Sequence, residues 1–294
     1  MTTTNSTKKT PSYTDHNGFL MPFGFPAHNF SKATSYQHQP NDLFIATYPK
    51  CGTTLTQHIL YIMLNGGVPI LPQEKLEGFF PHLEEVGIPQ CAAMKSGNKL
   101  IKTHLPCETL SMSPSTKYIF IARNPKDCVV SFFHHTRGFP KHYDFEEGDF
   151  DVFFDLFSKG KVDFGNYFKM LRSWFDRKDD ENILFLTYED IRDDKKGAIR
   201  NIARFVGGGT EEKLSNDEGA LMDKVLKYSS LEEMKKDPLR WSSERKVVHS
   251  PFIRSGIVGG WDELLTKEQG GKLDKMMREE FTEEELNYLG AKYY

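Results

Sequence analysis

The sequence predicts a single α/β domain in which a central parallel β-sheet is flanked by helices. Short apolar segments rich in β-branched and aromatic residues, which is the pattern of buried parallel strands, recur along the chain. Segments with helical apolar spacing lie between or after them, and this alternation is typical of α/β folds. The 294 residues can bury a substantial core, and no linker or repeat divides them.

Four segments are predicted as strands and three as helices. The strands are Asp42–Tyr48 (DLFIATY), Lys99–His104 (KLIKTH), Lys117–Arg123 (KYIFIAR) and Asn182–Glu189 (NILFLTYE). The helices are Thr53–Asn65, Tyr167–Lys178 and Ala198–Gly207. In open parallel sheets ligands bind beyond the carboxyl ends of the strands. The polar residues at those ends therefore predict one site that contains Lys50, His104, Arg123 and Tyr188.

Charge and cysteine content narrow the class of protein. The net charge of -3, with interspersed signs, gives no support for a nucleic-acid partner, so an anionic ligand needs a local basic site. The four cysteines lack C-x-x-C and zinc spacing, which favours free thiols and no metal site. The polar start lacks a signal-peptide core, and no run approaches the roughly 18 apolar residues of a membrane span. We expect a cytoplasmic protein without a membrane partner, with residues 1–15 mobile and residues 16–294 forming the domain.

The segment TYPKCGTTLTQ, Thr47–Gln57, turns from a strand into a helix and is a candidate anion-binding loop. A helix start offers unpaired N–H groups and a partial positive charge. Gly52 permits close backbone approach, Thr53 and Thr54 add hydroxyl groups, and Lys50 adds a charge. The loop departs from the standard phosphate loop, in which lysine follows the last glycine. An ordinary capped strand–helix turn is the alternative interpretation.

Four ordered motifs resemble the cytosolic sulfotransferase family. YPKCGTT is similar to the family's loop for the 5′-phosphosulfate of 3′-phosphoadenosine 5′-phosphosulfate (PAPS), and RNPKDCVVS (Arg123–Ser131) to its 3′-phosphate segment. IKTHLP (Ile101–Pro106) resembles the segment of the catalytic histidine. SPFIRSGIVGGW (Ser250–Trp261) resembles a late R-K-G-x-x-G-D-W segment, and SSLEEMKKDP (Ser229–Pro238) also has a counterpart. The resemblance runs from about Phe19 to the C-terminus, and it implies the P-loop-like nucleotide-binding fold and sulfuryl transfer to a small acceptor.

The resemblance also implies roles for individual residues. His104 would be the base, while Lys50 and Lys102 would stabilise charge on the leaving oxygen and on the sulfuryl group, without a metal. The product nucleotide would be 3′,5′-bisphosphoadenosine. The implied nucleotide-binding residues are Lys50, Cys51, Gly52, Thr53, Thr54, Leu55, Arg123, Ser131, Tyr188, Ser229, Leu231, Ile253, Arg254, Ser255 and Gly256.

The sequence departs from the family pattern at several positions. Leu55 and Leu231 stand where the family has aromatic residues that sandwich the adenine, so the stacking contribution is lost. Ser255 replaces a lysine of the 3′-phosphate site. The stretch DELLTKEQGG keeps only Thr266 of the family's dimerisation motif, which predicts a monomer or a dimer through another surface.

The acceptor pocket is predicted from three phenylalanine-rich segments, His16–Phe25, Glu77–Glu85 and Val130–His135. Such a pocket suits an aromatic or polycyclic alcohol. Glu84 and Glu85 either bind an amine or are solvent-facing or locally hydrogen-bonded carboxylates. A phenol or phenolic amine is the first expectation and a steroid-like alcohol the second. The candidate lining residues are Phe19, Phe23, Phe79, Phe80, His82, Glu85, Phe133 and His135.

Two other functions stay open at this point. A P-loop kinase that uses ATP and magnesium is disfavoured by the displaced Lys50 and by the lack of an evident acidic metal ligand, for which Glu189 and Asp190 are the nearest candidates. A non-catalytic nucleotide or small-molecule binder on the same fold would fit the lost aromatic residues. The presence of both Lys50 and His104 argues against it.

Overall fold

The computed structural model describes residues 9–71, 73–88, 97–216, 219–236 and 251–290. The first element is an antiparallel hairpin of β1 (Tyr13–His16) and β2 (Phe19–Pro22). Asn17 and Gly18, with φ values of 56° and 90°, form its two-residue turn, because both positions of such a turn require positive φ. The hairpin lies outside the strands predicted from the sequence.

The segment that leads into the hairpin contacts the rest of the domain. Residues 1–8 lie outside the described residues, Lys9 and Thr10 are exposed, and Pro11 is buried. The Ser12 N–H donates to the Tyr143 carbonyl at 2.7 Å, and the Tyr13 ring packs edge-on against Tyr143. The mobile segment expected for residues 1–15 stays a prediction.

The central sheet contains the four strands predicted from the sequence, which confirms the parallel α/β class. They are β3 (Asp42–Thr47), β4 (Lys99–Thr103), β5 (Lys117–Ala122) and β6 (Ile183–Thr187), in the order β4-β3-β5-β6. All neighbouring strands are parallel. Ala46 pairs with both Thr103 and Phe120, and Ala122 pairs with Thr187, so the four carboxyl ends meet at one edge.

Helices cover both faces of the sheet. The predicted helices are present as Thr53–Leu64, Tyr167–Phe175 and Lys195–Val206. Within the described residues, 3₁₀ turns span Leu76–Gly78 and Gly260–Glu263. Among the described helices, none is long and apolar enough to cross a membrane. In chain order the helices are α1 Ala27–Thr34, α2 Thr53–Leu64, α3 Leu83–Val86, α4 Pro125–Arg137, α5 Pro140–Tyr143, α6 Phe150–Ser158, α7 Tyr167–Phe175, α8 Tyr188–Asp193, α9 Lys195–Val206, α10 Thr210–Ser215, α11 Ala220–Tyr228, α12 Leu231–Lys235, α13 Lys267–Glu280 and α14 Glu283–Tyr288.

Alternation along the strands divides the core into two halves. On β3 the side chains of Phe44 and Ala46 join one buried cluster, while Leu43 and Ile45 join the other. The first cluster packs against α4 and α7, and the second against α2 and α9. Because both faces are covered, the strands are apolar throughout and their ends are the natural place for polar chemistry.

Candidate active site

A cavity of 810 Å³ lies at the carboxyl edge of the sheet. Its wall contains the four predicted strand-end residues, Lys50, His104, Arg123 and Tyr188. Tyr188 does not end a strand as predicted, because β6 stops at Thr187 and Tyr188 begins α8. The register of the sheet therefore brings together residues that are far apart in sequence.

The loop between β3 and α2 is shaped for a ligand at the helix N-terminus. Gly52 is the N-terminal cap of α2 and has a φ of 102°, and Lys50 has a φ of 70°. A Cβ atom at position 52 would lie 2.8 Å from Cδ2 of Tyr188, so only glycine fits there. Gly52, Thr53 and Thr54 line the cavity at the start of a twelve-residue helix, where unpaired N–H groups favour an anion.

Arg123 is buried between the loop and Tyr188. Its Nη1 donates to the Lys50 carbonyl at 2.9 Å, and its guanidinium lies 4.5 Å from the centre of the Tyr188 ring. Nε of Arg123 is buried and has no hydrogen-bond partner among the described residues. An arginine held in this way offers donor capacity to an anion in the cavity.

The late segment closes the same end of the cavity. Ile253, Arg254, Ser255 and Gly256 line it, while Ser250 lies outside the described residues. Tyr188 donates its hydroxyl proton to the Gly256 carbonyl at 3.3 Å, and the Gly259 N–H donates to Asp127 Oδ2 at 2.8 Å. Arg254 forms an ion pair with Glu263, so an anion that binds Arg254 competes with this carboxylate.

The two leucines at the predicted adenine positions lie in the wall near this segment. Leu55 on α2 is half-buried and lines the cavity. Leu231 begins α12, and a Cβ atom at Gly256 would approach its Cδ1 to 3.1 Å. Ser131 and Ser229 also line the cavity, although the Ser229 hydroxyl donates to the Val225 carbonyl at 2.6 Å. Asp237 and Pro238 of the resembling stretch lie outside the described residues.

Cys51 is the predicted nucleotide-loop residue that does not line the cavity. Its Sγ points into the core, 3.7 Å from Sγ of Cys128, and both thiols are fully buried. Burial, followed by the neighbouring Cys128, raises the pKa of the Cys51 thiol well above its ordinary value. A neutral thiol that faces the core is a poor nucleophile, so only its backbone remains available to a ligand.

His104 is oriented by the strand that leads into the loop. Its Nδ1 bonds to the Thr47 carbonyl at 2.7 Å and lies 3.2 Å from Thr47 Oγ1, which in turn bonds to Thr53 Oγ1 at 2.6 Å. A carbonyl accepts only from N–H, so the proton sits on Nδ1 and Nε2 carries the lone pair. Among the described residues Nε2 has no hydrogen-bond partner. The imidazole is therefore preset as a proton acceptor and linked to the loop.

The electrostatic surroundings keep His104 neutral. Burial lowers the pKa of His104 well below its ordinary value, and the positive charge of Lys102 acts in the same direction. Burial also lowers the pKa of Lys102, against the opposing effect of Glu85 and Glu84. Glu84 is fully buried and accepts hydrogen bonds from the His104 N–H and from Thr103 Oγ1 at 3.0 Å. Of the two interpretations of Glu84, the locally hydrogen-bonded carboxylate is correct.

The other end of the cavity is lined by aromatic and ionisable residues, but only part of the predicted acceptor set contributes. Phe80, His82, Glu85 and His135 line the cavity. The His82 ring packs edge-on against His104 at a centroid distance of 5.0 Å. The wall on this side also includes Pro22, Phe25, Phe139, His142, Tyr143, Asp163, Phe164 and Phe252.

Four predicted acceptor residues do not line the cavity. Phe19 stacks on Phe30, and Phe23 is 56% exposed. Phe79 packs against Tyr61, and Phe133 lies in the core near Phe150 and Phe153. A phenylalanine-rich segment alone therefore does not identify the wall of a pocket, because neighbouring residues in a chain point in different directions.

Several residues of the site carry no clear signal in the sequence. Thr47 and Glu84 act on His104 through hydrogen bonds, and Asp127 accepts a hydrogen bond from the late segment. Glu189 is buried and accepts from the Asn124 N–H at 2.9 Å, and burial raises the pKa of Glu189 to about 7. Such roles depend on contacts between distant segments. The described residues contain no group of three or more His, Cys, Asp or Glu arranged to hold a metal ion.

The fold and the site together define an α/β protein in which a helix N-terminus and Lys50 line a cavity that also holds a neutral histidine beside an aromatic wall. The chain matches the sulfotransferase domain family over residues 40–285. Sulfotransferase 1C2 of Homo sapiens is 32% identical over 274 residues, covering 88% of this chain and 90% of the relative. Sulfotransferase 1B1 of Canis lupus familiaris is 33% identical over 283 residues, covering 89% and 90%.

Solved structures show the same fold. Mouse sulfotransferase SULT7A1 complexed with PAP has a TM-score of 0.72 and 24% identity, covering 96% of this chain and 98% of that one. Retinol dehydratase, in complex with androsterone and the inactive cofactor PAP, has a TM-score of 0.72 and 20% identity, covering 93% and 90%. The chain belongs to the sulfotransferase family, and the enzyme class predicted from the sequence is confirmed.

Proposed function

We propose that this protein transfers a sulfuryl group from PAPS to the hydroxyl, or the amine, of a small aromatic acceptor, with His104 as the base. The observation that carries the proposal is the link between the two halves of one cavity. Thr47 bonds both to Thr53 of the anion-binding loop and to Nδ1 of the histidine. The sulfuryl donor and the proton acceptor are thereby held by the same strand end.

The donor end has the groups that PAPS requires. The N-terminus of α2 with Lys50 and the two threonines offers N–H, hydroxyl and ammonium donors to a 5′-phosphosulfate. Arg123, Ser131 and Arg254 offer a charge-assisted site to a 3′-phosphate. When bound, PAPS would supply the sulfuryl group.

The residues of the chain perform the remaining chemistry. His104 Nε2 takes the acceptor's hydroxyl proton as the acceptor oxygen bonds to sulfur and the bond from sulfur to the 5′-phosphate oxygen breaks. Lys50, in the loop after β3, and Lys102, two residues before His104, both line the cavity and provide positive charge for the leaving and transferring oxygens. The aromatic wall positions the acceptor and excludes water, which supplies the effect of proximity.

A melting experiment distinguishes this proposal from its rivals. A sulfotransferase should be stabilised by 3′,5′-bisphosphoadenosine and not by ATP with magnesium, whereas a kinase would show the reverse. A non-catalytic binder would be stabilised by the bisphosphate without sulfating any member of a panel of phenols, phenolic amines and steroid alcohols. Stabilisation by ATP with magnesium alone would contradict the proposal.

The arginines should distinguish ligands by their 3′-phosphate. Arg123→Ala and Arg254→Ala are each expected to weaken binding of 3′,5′-bisphosphoadenosine by roughly 1.5–3 kcal/mol, the scale of a charged hydrogen bond. Binding of adenosine 5′-monophosphate should change far less. Arg254→Ala is the cleaner variant because Arg123 also supports the Lys50 carbonyl.

Calorimetric titration of both nucleotides measures this difference. The exposed Arg204, which pairs with Glu211, gives a matched control, and Arg204→Ala should leave both affinities unchanged. Equal losses of affinity for the two nucleotides would show that the arginines do not bind the 3′-phosphate.

The leucine at the adenine position should accept an aromatic replacement. Leu55→Trp is expected to tighten bisphosphate binding, because base–aromatic stacking is worth roughly 1–3 kcal/mol per base in single-strand binders. Leu55→Ala should weaken binding, and the dissociation constants of the two folded variants give the comparison. Identical constants for tryptophan, leucine and alanine would remove Leu55 from the adenine wall.

A further inference from the structure

Glu263 is a carboxylate at the nucleotide end of the cavity that the proposed chemistry does not use. It ends the 3₁₀ turn Gly260–Glu263, and its Oε2 accepts a hydrogen bond from Nη1 of Arg254. Arg254 lines the cavity and belongs to the proposed 3′-phosphate site. A carboxylate of the protein is therefore bound to the same guanidinium that the nucleotide needs.

The 3₁₀ turn is anchored to the N-terminal end of α4. Just before the turn, the Gly259 N–H donates to Oδ2 of Asp127 at 2.8 Å. Within the turn, the centre of the Trp261 ring lies 4.8 Å from Nζ of the buried Lys126. Ion pairs between two mobile surface side chains contribute little to stability. The contact between the carboxylate and Arg254 differs from these because the backbone of one partner is held in place.

His134, on α4, is a second neighbour of the carboxylate. Its Nε2 lies 3.5 Å from Oε1 of Glu263. Burial lowers the pKa of His134, and the positive charge of Arg254 acts in the same direction, against the opposing effect of Glu263. The imidazole is therefore neutral at neutral pH, and the positive charge that attracts Glu263 is that of Arg254.

The carboxylate weakens the positive charge of the 3′-phosphate site. Arg123 and Arg254 are the charged members of that proposed site, since Ser255 replaces a lysine of the family pattern. A phosphate binds best to two parallel N–H groups of one guanidinium, and Glu263 already engages Nη1 of Arg254. Two anions on one guanidinium also repel each other. The 3′-phosphate must therefore displace the carboxylate or form a weaker contact.

We propose that Glu263 competes with the 3′-phosphate: it binds Arg254 in the nucleotide-free protein and leaves this arginine when the nucleotide binds. The inference rests on the proposed function and concerns the same nucleotide site. The half-exposed carboxylate can turn toward water and His134 when the phosphate arrives. When the bisphosphate product dissociates, Glu263 returns to Arg254. The carboxylate thereby lowers nucleotide affinity and shortens the lifetime of the product complex.

Glu263→Gln tests this competition, because glutamine keeps the shape of the side chain and removes its charge. The variant should bind 3′,5′-bisphosphoadenosine about 2- to 5-fold more tightly than wild type, the scale of a half-exposed ion pair. Most of the gain should come from slower dissociation, which stopped-flow displacement measures. Affinity for adenosine 5′-monophosphate, which lacks the 3′-phosphate, should stay the same. Calorimetric titration gives both affinities.

Two further variants separate competition from a general effect of charge. In an Arg254→Ala background, Glu263→Gln should change bisphosphate affinity little further, because the arginine for which the two anions compete is gone. Glu211→Gln is the matched control, since Glu211 forms an ion pair with Arg204 and neither of these residues lines the cavity. This control should leave both affinities unchanged.

Several results would overturn the competition. Unchanged bisphosphate affinity in Glu263→Gln would show that phosphate and carboxylate do not compete, and weaker binding would show that the carboxylate orients Arg254 for the phosphate. An equal gain for both nucleotides, or an equal gain in the Arg254→Ala background, would show that Glu263 acts only through its general negative charge. Failure of the proposed function looks different, because wild type would then show no stabilisation by the bisphosphate at all.

Discussion

Replacing His104 by alanine is expected to lower turnover by about 10²–10⁴-fold, the usual contribution of a general base, while nucleotide affinity stays nearly intact. The reason lies in the hydrogen bonds of the ring. Thr47 fixes the proton on Nδ1, so Nε2 is the atom that can accept a proton, and the loss of the ring removes that atom. The nucleotide loop keeps its shape because the bond between Thr47 and Thr53 does not involve the histidine.

Single-turnover rates and bisphosphate titration separate these two effects. His38 provides a control, since it bonds to the Ser111 carbonyl and does not line the cavity. His38→Ala should leave turnover unchanged. A folded His104→Ala enzyme that retains more than about a tenth of wild-type turnover would remove this histidine from the mechanism.

The pH dependence of the rate should follow from the same residue. Because burial and Lys102 lower its pKa, His104 stays neutral at pH values where an ordinary histidine, with a pKa of about 6.5, would be protonated. We therefore expect kcat/KM to remain on a plateau through the ordinary histidine pKa and to fall only at lower pH. This differs from the fall near 6.5 that an unperturbed histidine would give. A fall centred at or above 6.5 in wild type would contradict a buried neutral base.

The strands and their site residues were predictable because short-range patterns determine them. A segment such as Lys117–Ala122, apolar on both faces, has few alternatives to a central parallel strand. The polar residues of a binding site must therefore come at or after the end of the strand. The hairpin was harder to predict than the central strands, because its strands have only four residues each and show no clear apolar pattern. The sequence feature that identifies it is the Asn17–Gly18 turn. Because the carboxyl ends of parallel strands lie at one edge of the sheet, the residues at those ends could be predicted from the sequence to form one site.

The acceptor wall could be predicted only where a periodic element carries it. On α4 Ser131 and His135 are four residues apart, so they share one face and both reach the cavity, whereas Phe133 points into the core. In the irregular segment before α3 no such period applies, and Phe80 lines the cavity while Phe79 packs on Tyr61. The direction of a side chain in an irregular segment depends on tertiary contacts, which no local pattern specifies.

The second large effect is expected at Lys50, the residue proposed to bind the donor both before and during transfer. Lys50→Met keeps the length of the stem and its contact with apolar surface, and it removes the ammonium group with its charge and its N–H donors. Nζ of Lys50 lies 4.6 Å from the centre of the Phe252 ring, at the point where the late segment meets the loop. Loss of this charge should weaken bisphosphate binding by roughly 1.5–3 kcal/mol.

Turnover at saturating donor should fall further in Lys50→Met, by about 10²–10³-fold, the effect of removing one preorganised donor from a developing negative charge. Stability should change little, because methionine and lysine meet the same cost at the φ of 70° found here. Lys99→Met, at the start of β4 and outside the cavity wall, should change neither binding nor turnover. The combined pattern is specific: His104→Ala loses turnover alone, whereas Lys50→Met loses both. Normal nucleotide affinity in Lys50→Met would show that this lysine acts only in the transition state. Normal turnover would show that it does not stabilise the leaving oxygen.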